Sequence, residues 1–130
     1  MKKSFNLIEL IMVIVIIGIL AIMALPRMSK TQITANDSAA KANIQTIAAA
    51  LETYATSNNG NYPTDESALT NASPPYLHQS FCNRTIQGYS YSCDLNTSNY
   101  TITASPSSCG VTGSKTFTII TGGVLSDSGC

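Results

Sequence analysis

The sequence predicts an α+β fold in which one long N-terminal helix packs against a small antiparallel β-sheet. Three features carry this reading. Residues 10–25 are all apolar apart from Gly18. Ala40, Ile44, Ile47, Leu51 and Tyr54 then recur every three or four residues, which puts them on one face of a helix. The runs 88–93, 100–104 and 115–121 are rich in Tyr, Thr, Ile and Phe with partial alternation, the pattern of half-buried strands.

The first element starts with a short basic stretch, Lys2-Lys3, and then turns apolar. As a helix, residues 10–25 reach about 24 Å. Adding Phe5, Leu7 and Ile8 brings the segment to the roughly 20 residues that a hydrocarbon core of about 30 Å requires. The readings to weigh are a cleaved secretory signal, a lipoprotein signal and a single-pass anchor. A lipoprotein needs a cysteine after the apolar run, and the first cysteine is Cys82. A secretory cleavage near Ala24 is disfavoured by Ile22 at the preceding small-residue position and by Pro26 close behind. The anchor is the rival that remains.

Glu9 is the unusual residue of this segment, because a carboxylate within an apolar run costs a few kcal/mol to insert and ordinarily marks a function. Capping also accounts for an acid here: Asn6-Leu7-Ile8-Glu9 fits a capping box, with Asn6 as N-cap and Glu9 near the positive end of the helix dipole.

The stretch Ser4-Phe5-Asn6-Leu7-Ile8-Glu9-Leu10, with the apolar run and Pro26 after it, resembles the N-terminal signature of type IV pilins and type II secretion pseudopilins. The resemblance covers about the first 30 residues closely. It implies a leader at 1–4, cleavage between Ser4 and Phe5 by a prepilin peptidase and N-methylation of Phe5. It also implies that Glu9 meets the Phe5 amine of a neighbouring subunit and sets the axial register of a filament. The family prefers Gly where Ser4 stands and more often has Thr in place of Asn6. Lys2 and Lys3 favour a cytoplasmic N-terminus, but Arg27 and Lys30 balance them at the other end. The cysteines break the tie, since disulfides place the polar half outside the reducing cytosol.

Past Pro26 the helical pattern resumes, and Asn58-Asn59-Gly60 signals its stop. One helix over about 5–58 is expected, bent or melted near Gly18 and Pro26, with the resemblance implying that this stretch melts on assembly. Gln45, Glu52 and Thr53 are expected to turn away from the apolar stripe. The division expected is 1–4 leader, 5–26 membrane anchor and filament core, 27–58 amphipathic continuation, and 59–130 disulfide-linked β head. In that head Asn96, Pro106, Gly110, Gly113, Gly122 and Gly123 separate the strands. The implied shape is the pilin fold, a spine helix with a globular head. The segment through Asn59-Gly60-Asn61-Tyr62-Pro63 also resembles the loop of major pseudopilins and short pilins.

The four cysteines lie in the polar half, and their even number in a small Ser/Thr-rich region favours disulfides. Three pairings are open to the sequence. Nearest-neighbour pairing gives Cys82–Cys93 and Cys109–Cys130, and the second loop resembles the cysteine-bounded region of many type IV pilins. Zinc is disfavoured: the gaps of 10, 15 and 20 residues hold no C-x-x-C, and the single histidine is His78.

At 130 residues the chain has room for one domain. Seven Lys+Arg against seven Asp+Glu, with 11% charged residues in all, leave no basic face that advertises nucleic acid. One histidine, no nucleophile motif and no metal spacing argue against an enzyme, and no cofactor is expected. Asn36, Asn71, Asn83, Asn96 and Asn99 begin N-x-S/T triplets, a weak signal in a chain rich in these residues. Asp127 between Ser126 and Ser128 invites a calcium reading, but a solvated turn is favoured because the EF-hand pattern is missing. The aromatic residues are expected to pack the head.

The function expected is that of a structural type IV pilus subunit. Its partners are identical copies, the prepilin peptidase and the assembly machinery, and it rests in the bacterial inner membrane before joining an extracellular filament. The alternatives are a major pseudopilin of type II secretion or a single-pass anchored binding module.

Overall fold

The computed structural model describes residues 4–130, with the side chains of 24–29 excepted. Its first element is helix α1, Leu7–Ser57, which runs through both Gly18 and Pro26. Asn6 opens it: the N–H groups of Glu9 and Leu10 donate to the Asn6 carbonyl at 3.1 and 3.3 Å. It closes at Asn59, whose φ of 58° is left-handed, followed by Gly60 at 82°. The Gly60 N–H reaches back to the Ala55 carbonyl at 2.8 Å, the long bond of a Schellman motif. The signal read as a helix stop therefore works through backbone handedness, which Asn and Gly tolerate best.

The chain divides into two compact units, one up to Gln32 and one over Ile33–Cys130. The second takes in the last part of α1, a short helix α2 (Ser67–Thr70) and five strands: β1 Arg84–Ile86, β2 Tyr89–Leu95, β3 Tyr100–Pro106, β4 Lys115–Ile120 and β5 Val124–Gly129. The strands form one antiparallel meander in chain order. This is an α+β fold with an N-terminal helix and a five-stranded sheet.

The sheet corrects the sequence reading in three places. β1 and β5 were not expected: β1 is only three residues long, and β5, Val-Leu-Ser-Asp-Ser-Gly, is too polar to read as a strand alone. Pro106 does not separate strands but ends β3 opposite Tyr89. A proline is admissible there because it closes its strand. Gln87 and Gly88, with φ of 50° and 79°, make the two-residue turn between β1 and β2, where a primed turn requires positive φ at both positions.

Ala40, Ile44, Ile47 and Leu51 of α1 are buried against Tyr89, Tyr91, Tyr100, Ile102, Phe117 and Ile119 of the sheet, and Tyr54 packs partly buried at the margin. Leu69, Leu77 and Phe81 close the core from the 61–83 segment. Edge-to-face rings reinforce it, Tyr62 with Tyr100 at 5.0 Å and Phe81 with Tyr91 at 5.6 Å between centroids. Disulfides join Cys82 to Cys93 and Cys109 to Cys130.

Candidate functional site: an exposed apolar helix with one carboxylate

In the first unit, the large apolar side chains of 7–23 all face solvent. Their exposure runs from 51% at Ile11 to 76% at Leu7, and Phe5 reaches 88%. Burying one such side chain stabilises by about 1.5–3 kcal/mol, so the run leaves on the order of 20 kcal/mol of hydrophobic free energy unrealised in the isolated chain. A soluble monomer rarely shows so large a contiguous apolar surface, and one that does marks a contact with protein or lipid. Among the described residues no helix is long and apolar enough to cross a membrane. Residues 7–23 rise about 25 Å as a helix, less than a hydrocarbon core of about 30 Å.

Glu9 is the one ionisable side chain of residues 4–23. It is exposed, and its Oε2 accepts the Asn6 N–H at 3.3 Å. That bond is half of the capping box expected from the sequence, and it fixes the acid at the start of the helix, where the dipole favours a negative charge. Ser4 and Phe5 precede α1 and are exposed. The leader residues 1–3 lie outside the described residues. What the arrangement offers is cohesion along an apolar face with one charge near its end.

The second unit carries three acids to which sequence reasoning gave no structural role. Glu52 does not turn away from the sheet: its carboxylate accepts the Tyr100 hydroxyl at 2.7 Å, the Tyr62 hydroxyl at 3.1 and 3.2 Å and the Gly122 N–H at 2.9 Å. Asp37 accepts the Tyr89 hydroxyl, the Ser114 hydroxyl and, at 2.9 Å, the Ser114 N–H. Burial opposes its charge, but the Ser114 and Tyr89 hydrogen bonds outweigh that and hold the carboxyl below the usual carboxylate range. Burial, then the bonded carboxylate, raises the hydroxyl pKa of Tyr89 and of Tyr100 well above the ordinary tyrosine value. A signal for Asp37 was in the sequence, since it stands three residues before Ala40 on the same stripe.

Glu66 is the third acid and is buried. It accepts the Ser80 hydroxyl and the N–H groups of Phe81 and Cys82, both at 2.9 Å. Glu66, Cys82 and Cys93 group within 4.8 Å, but both sulfurs are committed to the disulfide and a metal requires the thiolate. Asp127 forms an ion pair with Lys115 at 3.2 Å. Glu52, Asp37 and Glu66 each tie separate segments of the second unit together by hydrogen bonds.

Comparison with protein-family models, with curated proteins and with solved structures found no match.

Proposed function

We propose that this chain is a structural subunit of a type IV pilus, polymerised through the helix that begins at Leu7. The observation that carries the reading is a solvent-exposed apolar helical run holding one acid, covalently continuous with a disulfide-linked α+β unit. The sequence resemblance over the first 30 residues supports it. In this reading the leader 1–4 is removed, Phe5 becomes the methylated N-terminus, and many copies of the apolar run bundle into a dry core. An unpaired carboxylate there would be heavily penalised, and the Phe5 amine of a neighbouring subunit supplies the opposite charge.

Before assembly the subunit rests in the bacterial inner membrane, with the run continued to Leu25 and the head on the oxidising side, where both disulfides persist. The pseudopilus alternative leans on the Asn59–Pro63 loop. In this chain Asn59 and Gly60 cap α1 and the Tyr62 hydroxyl donates to Glu52, so local structure accounts for the loop without a secretion role.

The test is electron microscopy of sheared surface material, combined with mass spectrometry of its N-terminus. Filaments containing this chain with methylated Phe5 are expected. A monomeric surface protein that keeps Met1 would replace this reading with the anchored binding module.

A further inference from the structure

Helix α1 enters the second unit at Ile33, and its first buried side chain in that unit is Ala40. Between them, hydrogen bonds tie the helix to one loop. The Asn36 side-chain amide donates to the Thr112 carbonyl at 2.9 Å, and Asp37 accepts the Ser114 N–H at 2.9 Å together with the Ser114 hydroxyl. Thr112 and Ser114 both belong to the connection between β3 and β4, residues 107–114.

That loop has few apolar anchors of its own. Thr112 is half-buried and Gly113 is buried, but the rest is exposed, including Val111 at 67%. Its turn closes internally, through the Ser108–Thr112 bonds and the Gly110 N–H on the Gly113 carbonyl at 2.8 Å. Segments with few buried apolar contacts open at low free-energy cost. The covalent fastening of the loop is Cys109–Cys130, which joins it to the residue after β5, where the Cys130 N–H donates to the Ser114 carbonyl at 3.4 Å. The disulfide thus holds the loop, and the loop holds α1 ahead of its buried face.

We propose that Cys109–Cys130 is a redox latch on α1: opening it frees residues 107–114, loosens the hold on Asn36 and Asp37, and leaves the core from Ala40 onward closed. With Ser114 withdrawn, Asp37 is left with the Tyr89 hydroxyl, whose one proton the Lys115 carbonyl also accepts. The latch lies wholly in the second unit and is independent of the filament reading. Cys109 and Cys130 are exposed whereas Cys82 and Cys93 are half-buried, so a dithiol reaches the latch first. Its thiolate attacks one sulfur to form a mixed disulfide, and the other protein sulfur leaves and takes a proton. The second thiol of the dithiol then displaces the first protein sulfur. The chain gains two electrons and two protons as two cysteine thiols, and the dithiol becomes a disulfide.

Amide hydrogen exchange of the full chain in mild detergent reads the latch, because a stretch of helix without tertiary contacts is marginal in water and loses protection. Opening Cys109–Cys130 with limiting dithiol and capping both thiols with iodoacetamide should raise exchange over 33–39 about tenfold or more, with 44–55 unchanged. Cys109→Ala with Cys130→Ala should do the same without reductant or capping groups. Cys82→Ala with Cys93→Ala should leave 33–39 at the parent rate. Unchanged exchange over 33–39 in both opened forms, an equal loss of protection over 33–39 and 44–55, or the same rise at 33–39 in the Cys82 and Cys93 variant each overturns the assignment.

Discussion

The Tyr100 hydroxyl donates to Glu52 Oε1 at 2.7 Å and accepts the Gly123 N–H at 3.0 Å, which ties the middle of the sheet and the β4–β5 turn to one helical carboxylate. The Gly122 N–H reaches the same oxygen at 2.9 Å. Gly122 and Gly123 have φ of 88° and 75°, a backbone that only glycine adopts cheaply and that aims successive N–H groups inward. Hydrogen bonds to a charged group contribute about 1.5–3 kcal/mol, and Tyr100 is buried, so Glu52→Ala should cost about 2–3 kcal/mol. Glu52→Gln, which keeps one acceptor, should cost less. Thermal unfolding of the full chain in detergent measures both, and an unchanged midpoint for Glu52→Ala would remove the hub role.

Asp37 should contribute to the acid limit of the second unit. Its folded pKa lies below the unfolded value of about 4, so the unfolded chain takes up a proton first. The stability that Asp37 contributes is therefore complete above about pH 4 and is lost as pH falls through the folded pKa. Tyr89 works at the other end: its folded pKa is raised above about 10, so its contribution is complete below that pH and is lost as pH rises beyond it. Melting midpoints of Asp37→Asn should fall less steeply than those of the parent chain between about pH 4 and pH 2. Parallel curves would show that other carboxylates set the acid limit.

Gly113 lies against the same tyrosine. A Cβ added there would stand 2.4 Å from the Tyr89 hydroxyl oxygen and 2.6 Å from its ring, and Tyr89 is fully buried. The ring has no room to retreat, so Gly113→Ala should destabilise by about 1–3 kcal/mol through overpacking and should loosen the Asp37 contact. Gly60→Ala, with open space around it but φ of 82°, should cost about 1 kcal/mol through backbone strain alone. Denaturation midpoints of the two variants separate a packing cost from a backbone one.

The α1 stripe, its stop signal and the cores of β2, β3 and β4 were legible because each rests on local periodicity or turn chemistry. β1 and β5 were not, since Arg-Thr-Ile and Val-Leu-Ser-Asp-Ser-Gly become strands only by pairing with longer neighbours. Glu52 was misplaced for a related reason. Helical position put it beside the apolar stripe, but only the sheet's tyrosine hydroxyls make that flank a favourable place for a carboxylate.

The two disulfides should differ in reach. Cys109 and Cys130 are both exposed, whereas Cys82 and Cys93 are half-buried beside Glu66. Access controls thiol–disulfide exchange, so mild reductant should open Cys109–Cys130 first. Sequence separations of 11 and 21 correspond to about 3 kcal/mol of unfolded-state constraint for each. Timed alkylation followed by peptide mapping gives the order, and simultaneous opening would show that global unfolding controls both.

Glu9 separates the filament reading from simple helix capping. Its side chain caps Asn6 in the single chain, and glutamine serves that bond as well as glutamate does. Glu9→Gln therefore keeps the helix start but removes the charge that a neighbouring Phe5 amine would need. Breaking a buried ion pair costs about 3–5 kcal/mol, enough at every subunit contact to suppress polymerisation, whereas losing a cap costs about 1 kcal/mol. Filament yield in sheared material should thus fall as sharply for Glu9→Gln as for Glu9→Ala, while head melting stays at the parent value for both. Full assembly of the glutamine variant would leave capping as the sole role of Glu9 and would remove the register-setting pair from the filament.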